Sequence, residues 1–293
     1  MKLVTIAIFA LLFAPVALAG EPVKMNTDAD ANGEVSIHVT RGEVTIVAWS
    51  KDNVSVEGTR DDKSEGFEFR REGKTVYIED EIEHRRGHGE GTRITVSVPV
   101  HNDVKIEGVS TEVSVTGVDG EVGVELVSGN ARVEQAGGRV KIETVSGNID
   151  LKGGGESVTL EAVSGRVSAD TNATRLNASS VSGDVNVVNG TAVGRAEVST
   201  VSGDLELTTY VTGDVDMELD SISGDITLSV IGDVDAHVDV ETGPGGRIDN
   251  RFNDVEPERE RYTGAETLKT YVGKGTGNIE ASVISGRIVL RRK

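Results

Sequence analysis

Residues 122–187 read VGVELVSGNARVEQAGGRVKIETVSGNIDLKGGGESVTLEAVSGRVSADTNATRLNASSVSGDVNV. Within them the tag Val-Ser-Gly returns at 127–129, 145–147, 163–165 and 181–183, a constant step of 18 residues. Further copies stand at 201–203, 222–224 and 284–286, with Ile for Val in the last two. Recurrence at near-fixed spacing marks a stacked repeat architecture. After each tag comes an alternating apolar pair: Ala131/Val133, Ile149/Leu151, Val167/Ala169, Val185/Val187, Leu205/Leu207, Ile226/Leu228. About nine residues away lies a second pair: Val122/Val124, Val140/Ile142, Val158/Leu160, Leu176/Ala178, Ala196/Val198. Alternation with a period of two puts each pair on one face of a strand. Two strands per 18–21 residues, closed by a glycine corner, make one coil of an all-β, single-stranded parallel β-helix (a β-solenoid). The chain shows no helical apolar periodicity, so helix should be nearly absent. A coil with about four modest inward side chains cannot fold alone, and stacking joins the small cores into one. Gly at the corner permits a positive φ, and Ser can bond to the turn backbone, so turn chemistry accounts for the tag.

The same grammar extends outward from this stretch. Subtracting 18 from the first pairs gives Val104/Ile106 and Val113/Val115, which starts the regular array near residue 104. Before it, Val35/Ile37/Val39, Val44/Ile46, Val54/Val56, Val76/Ile78 and Ile94/Val96/Val98 alternate less regularly, and Trp49 is expected to cap or fill the first layers. The sequence therefore divides into residues 1–19, an irregular β region at 20–103, the regular solenoid at 104–242, a charged insertion at 243–277 and a final coil at 278–293.

Residues 1–19 read as a secretory signal peptide. Lys2 precedes an apolar run from Leu3 to Phe13, and Ala17-Leu18-Ala19 offers small residues for cleavage after Ala19. The expected location is periplasmic or secreted. That apolar run is too short to span a bilayer comfortably, and no transmembrane segment is expected after cleavage. Lys+Arg number 30 against 49 Asp+Glu, a formal charge of −19. Phosphate neutralisation supplies most nucleic-acid affinity, so no nucleic-acid partner is expected. Cys is absent, which excludes disulfides, thiolate metal sites and a Cys-linked lipid.

The repeated Val-Ser-Gly-Asx-Ile/Val tags resemble the bacterial family of β-strand-repeat proteins that carries the label "putative adhesin". So do RGEVTIVAWSKDNVSVEG (41–58) and ITVSVPVHNDVKIEGVSTEVSV (94–115). The likeness covers residues 30–293. It implies a right-handed parallel β-helix outside the cytoplasm and supplies no catalytic residue.

Among candidate sites, the acidic residues of the late coils stand first. Gly213-Asp214 and Gly232-Asp233 are 19 residues apart. That spacing would stack Asp214 on Asp233, Asp216 on Asp235 and Asp220 on Asp239. A row of carboxylates at one strand spacing would bind cations such as Ca2+, raise its own pKa values, or stand as a solvated acidic edge screened by water. Asp184, Asp204 and Asp225 follow the tags on the other edge. His84 and His88, with Glu81, Glu83 and Glu90, share one loop, but Gly87 and Gly89 argue against the helix that would aim both imidazoles at one metal. Arg85-Arg86 and Arg291-Arg292-Lys293 are small basic islands. Polysaccharide-cleaving β-helices are the rival class, but aromatics to stack a sugar are only 3 % of the chain. The sequence thus points to an exported, non-enzymatic envelope binding module for an envelope protein or a glycan, without a cofactor. The alternatives are a periplasmic scaffold whose acidic edge holds divalent cations and a polysaccharide-active enzyme.

Overall fold

The computed structural model describes residues 20–82 and 89–293. The segment 1–19, Glu83, His84, Arg85, Arg86 and His88 lie outside the described residues. Every regular element described is a strand. In chain order these are β1 Glu21–Asp28, β2 Glu34–Trp49, β3 Asn53–Arg60, β4 Ser64–Glu72, β5 Thr75–Ile82, β6 Thr92–Pro99, β7 Asp103–Thr116, β8 Val122–Ser128, β9 Ala131–Ala136, β10 Val140–Ser146, β11 Ile149–Gly153 and β12 Ser157–Ser164. They continue with β13 Val167–Thr171, β14 Arg175–Ser182, β15 Val185–Ser202, β16 Leu205–Ser223, β17 Ile226–Val230, β18 Ala236–Thr242, β19 Arg247–Asn250, β20 Glu258–Arg259, β21 Glu266–Val272, β22 Gly277–Ser285 and β23 Arg287–Arg292.

The strands fall into two rows, and the chain steps from one to the other at each corner. In the first row Val104, Val122, Val140, Val158 and Leu176 stand side by side on parallel strands, 18 residues apart. In the second row Val113, Ala131, Ile149, Val167 and Val185 do the same. Both members of every apolar pair quoted above are buried, Ile149 at 1 % exposure, and they form one continuous core between the rows. Val, Ile and Leu suit such strands because branched or extended side chains pack well on a pleated, half-buried surface. The core is narrow, which explains how a chain with so few rings fills it.

The regular register reaches beyond residue 104. The long strand β2 spans both rows and pairs with β7 throughout, Val35 with Val104 and Val44 with Val113. A further coil, β5 with β6, lies on its other side. The chain therefore lays β2 first, turns back through the antiparallel strands β3 and β4 to fill the next slot with β5 and β6, and only then passes to β7. Trp49 does not enter the core. It is partly exposed at the end of β2, where its Nε1 donates to the Asn53 carbonyl at 2.8 Å and Lys51 lies 4.5 Å over its ring.

The C-terminal end repeats the manoeuvre. After β17 the chain enters β18 one slot away from β16, not beside it. The vacant slot is taken by β22, parallel to β16 on one side and β18 on the other. In the second row β23 likewise sits between β17 and β19. The final coil is thus an interior rung, and Ile279, Ile288 and Leu290 are fully enclosed. Residues 243–277 are more than a loop, because they supply β19 and β21, the latter antiparallel to β18.

Candidate binding groove on the outer face

The corners come first, because they aim everything beside them. A Cβ added to Gly147 would lie 1.9 Å from the Gly129 carbonyl oxygen, and one on Gly165 equally close to that of Gly147. Gly183 would clash in the same way with Gly165 at 2.1 Å. The tag glycines are therefore required by backbone-on-backbone stacking, and Gly165 also holds φ at +153°. The residue after each glycine ties one coil to the next. The Asn148 amide N–H donates to Asn130 Oδ1 at 2.8 Å, and Arg166 N–H donates to Asn148 Oδ1 at 2.9 Å. Asp184 accepts from Asp204 N–H, Asp204 from Asp225 N–H, and Asp225 from Arg287 N–H. These three aspartates are hydrogen-bond acceptors for the backbone of the neighbouring coil.

The tag's first residue faces the other way. Val109, Val127, Val145, Val163, Val181, Val201, Ile222 and Ile284 are each 39–61 % exposed. The in-register pairs on either side, such as Thr144 with Ala162 and Ser146 with Ser164, align them from strand to strand. The ladder stays unbroken where the sequence jumps from Ile222 to Ile284, because β22 occupies the slot beside β16. Eight rungs at about 4.8 Å make an apolar stripe about 34 Å long. Scattered exposed apolar residues are ordinary, but a contiguous stripe edged by polar residues marks an interaction surface.

Beside the stripe, two residues back along each strand, runs a polar column. It reads Glu107, Glu125, Glu143 and Glu161 in adjacent strands and continues as Ser179, Ser199, Asp220 and Ser282. Stripe and column wall a groove of about 530 Å3 over the acidic half, with His38 at its end 3.7 Å from Glu107. A second, smaller depression of about 420 Å3 continues it past Ser199 and Ile222. Like charges on adjacent strands repel. Lys105 relieves this at one rung, standing 2.6 Å from Glu107, and it holds that carboxyl below the ordinary glutamate range despite partial burial. Lys141 stands 2.7 Å from Glu143. Glu125 and Glu161 have instead the uncharged Gly123 and Thr159 at the corresponding positions of their strands. This column escaped the sequence reading, although the 18-residue step that aligned the apolar pairs also aligns the four glutamates.

The four aspartates singled out earlier are placed differently from expectation. β22 separates β16 from β18, so Asp216 is opposite Asn278, and Asp220 opposite Ser282. Asp214 and Asp233 are exposed at the far corner, and Arg195 lies 3.7 Å from Asp216. Asp235 accepts the amide N–H groups of Lys274 at 2.7 Å and Thr276 at 3.3 Å. Partial burial opposes its charge, yet the amides of Thr276, Lys274 and Gly275 together hold its carboxyl below the usual range. The expected stacking of Asp214 on Asp233 and Asp216 on Asp235 is therefore replaced by interleaving with the final coil. Carboxylates do meet in consecutive strands as Glu218, Glu280 and Asp239. Asp220, on the same strand, pushes Glu218 above its ordinary range, and Lys269 closes the row 2.7 Å from Asp239. Among the described residues no group of three or more metal-ligating side chains is arranged to hold a metal ion. His84 and His88 lie outside the described residues. Of the C-terminal basic island, Arg291 pairs with Glu206 at 3.2 Å and Lys293 donates to Thr208 Oγ1, so both are engaged by neighbouring coils.

A second polar cluster lies at the N-terminal end. Asp61, fully buried, accepts from Arg41 Nε at 2.6 Å and from the Lys63 and Gly91 amides. Thr92, bonded to Asp80, receives the Asp61 N–H at 2.9 Å. Burial opposes the Asp61 charge, but Arg41 and the two amides prevail and bring its pKa to about 2. The cluster pins β2, β5 and β6 together and serves the fold.

Among the described residues, no helix is long and apolar enough to cross a membrane. No curated protein matches the chain significantly. Several solved structures are similar to it. One from Clostridium sporogenes, named a "putative cell adhesion protein", is 10 % identical over 93 % of this chain and 100 % of that one, with a TM-score of 0.22. A "putative adhesin" from Bacteroides fragilis is 12 % identical over 93 % and 97 %, with a TM-score of 0.43. A "putative lipid binding protein" from Parabacteroides distasonis is 13 % identical over 92 % and 97 %, with a TM-score of 0.45. Residues 32–267 match the model of the Toastrack DUF4097 family, and the chain belongs to that family.

Proposed function

We propose that the protein is a non-enzymatic binding module of the cell envelope, exported by residues 1–19, cleaved after Ala19, and holding an envelope protein in the groove beside the tag valines. The observation that carries this reading is the exposed apolar ladder from Val109 to Ile284. These residues could be polar without harm to the core, since they point away from it, and the corner needs only the glycine. Strand propensity and contact between neighbouring rungs are a modest gain for folding, whereas covering these eight β-branched side chains on a partner also recovers hydrophobic free energy. A glycan suits the stripe poorly, because its hydroxyl groups would lose water against valine methyls.

The test is photo-crosslinking in cells from a reactive residue at Val145, with the same residue at the exposed Tyr262 of the 243–277 segment for comparison. The reading expects one dominant protein adduct from Val145, lost when Val127 and Val163 are changed to Asp in a chain whose melting temperature is unchanged. Adducts from Tyr262 alone would move the binding site to the 243–277 segment. An N-terminus other than Gly20 on the exported protein would refute the cleavage site.

A further inference from the structure

Carboxylates flank the apolar stripe along both halves of the groove, and their sign defines what can lie in it. The half over Val109 to Val163 faces four stacked glutamates, among which Lys105 and Lys141 set two positive charges, so this half stays net negative. The half over Val181 to Ile284 faces three serines and Asp220, with Glu197, Glu218 and Glu280 stacked two residues further back on the same face.

We propose that the occupant is a cationic amphipathic polypeptide helix lying along the stacking axis. Its Lys or Arg side chains flank the apolar face along its length, over Glu107–Glu161 in one half and over Glu218, Asp220 and Glu280 in the other. This rests on the binding-module reading and names the partner's chemistry. The geometry favours a helix over a strand. One helical turn advances about 5.4 Å against about 4.8 Å per coil, so apolar side chains from successive turns stay within about 2 Å of successive valines over four rungs. A strand laid along the axis would present same-face side chains about 6.8 Å apart, which falls out of step after a single rung. The stripe of about 34 Å accommodates about 22 helical residues. The sign of the charge selects the rest. A cation set over the column relieves the repulsion among stacked glutamates, whereas an anionic lipid surface would add to it. A helix in a groove, with its anchors on one face and its charges on the flank, is a recurrent way to recognise a peptide.

The probe is a synthetic 22-residue helical peptide with leucines on one face and lysines flanking them along its length. A sister peptide carries glutamates in place of the lysines. Binding to the mature chain is followed by fluorescence anisotropy at low and high salt, with melting curves to verify the fold of each variant. The lysine peptide should bind and weaken with salt. Its affinity should fall at least tenfold in Glu125→Lys/Glu161→Lys and in Val145→Asp/Val163→Asp. It should be unchanged in Asp254→Lys/Glu256→Lys, which alters net charge equally but away from the groove. A crosslinker on its leucine face should attach beside Val127, Val145 or Ile222, not beside Tyr262. Equal binding of the glutamate peptide, or an equal loss in the Asp254/Glu256 control, overturns the cationic helix. If those results come with crosslinking in cells that still depends on the valines, the groove reading stands and only the partner's chemistry falls. If crosslinking from Val145 is absent as well, both fall together.

Discussion

The middle coils and the C-terminal coils are built from the same tag, yet they follow different rules of assembly. Between residues 104 and 202, neighbours in sequence are neighbours in space. Adding 18 to a residue number, or 20 from β14 to β15, gives the side chain next to it, as with Val122, Val140 and Val158. After β17 that arithmetic fails. The coil beside β16 is not the next one along the chain but the last one, 62 residues on, with Asp216 facing Asn278. The contrast teaches that a repeat specifies columns but not the order of its rungs. Any coil with the same inward pattern fits any slot, and the connections decide which slot it takes. The short segment from Ile231 to Asp235 carries the chain past a vacancy, and the turn from Gly273 to Thr276 carries it back over the start of β18.

If the interior position of the last coil is what closes this end, removing it should do far more than trimming a terminus. Deleting residues 277–293 takes out Ile279, Val283, Ile288 and Leu290 and leaves β16 and β18 without their shared partner. Burying four such side chains contributes about 6–12 kcal/mol, comparable with the whole stability of a domain. The truncated chain should fail to unfold as one cooperative unit, and amide exchange should be fast from β16 onward but slow in β8–β14. In a simple stack only the last rung would fray, so intact protection of β16 to β18 would refute the closure. At the other end, the deletion of residues 20–28 removes only the edge strand β1 and should leave the cooperative melt in place.

A smaller break is expected within the regular coils themselves. Gly165→Ala places a methyl 1.9 Å from a backbone oxygen that the whole stack holds still, at a φ that other residues avoid. The expected cost is about 2–3 kcal/mol, measured by denaturant unfolding. Gly213→Ala, at the opposite corner, would bring its methyl only to an ordinary 3.7 Å from Thr276 Oγ1 and should cost much less. Equal costs would mean that the tag glycines are a matter of turn propensity, not of contact between coils.

These contrasts also show what could be read in the sequence and what could not. The strand pairs, their inward faces and the near absence of helix follow from alternation and spacing, because burial forces a period of two on any strand with one face in a core. The exposure of the tag valines was missed since the tag was read as a turn, although Val127 is still in the strand and its place in the alternation puts it outside. The glutamate column was missed for a similar reason. In the Asp-rich late coils the spacing of Gly213 and Gly232 suggests neighbours that the intercalated strand in fact holds apart. Asp61 was invisible to spacing, because its partners Arg41 and Gly91 come from different coils and no periodic pattern links them.

Asp61 gives the comparison a pH dimension. Its folded-state pKa of about 2 lies below the unfolded value of 3.8, so the contribution is present above pH 3.8 and is lost as pH falls towards 2. The difference corresponds to about 2 kcal/mol. Asp61→Asn should therefore melt lower than the native chain at neutral pH, and the gap should close in acid. Since Asp61 ties together the slot-filling coils of the N-terminal end, early loss of protection should appear in β5 and β6, not in β9–β13. A gap that stays constant from pH 7 to pH 2.5 would show that the carboxylate's charge is not what counts.

The gentlest test concerns Asp235, which sits where the chain turns back into the vacant slot. Its carboxylate accepts the Lys274 and Thr276 amides, and its own carbonyl accepts the Gly277 N–H at 3.0 Å. It therefore clamps the crossover that makes the C-terminal end differ from the middle. Asp235→Ala should speed amide exchange at residues 274–276 with little change in the global melt, because the buried faces of β22 and β23 are untouched. The effect should also appear in the native chain as pH drops below the ordinary aspartate range, since protonation weakens the acceptor. Calcium should protect these amides in neither chain. If calcium slowed their exchange in the native chain and not in Asp235→Ala, Asp235 would be a cation ligand, and the crossover would be held by the ion instead of by the carboxylate alone.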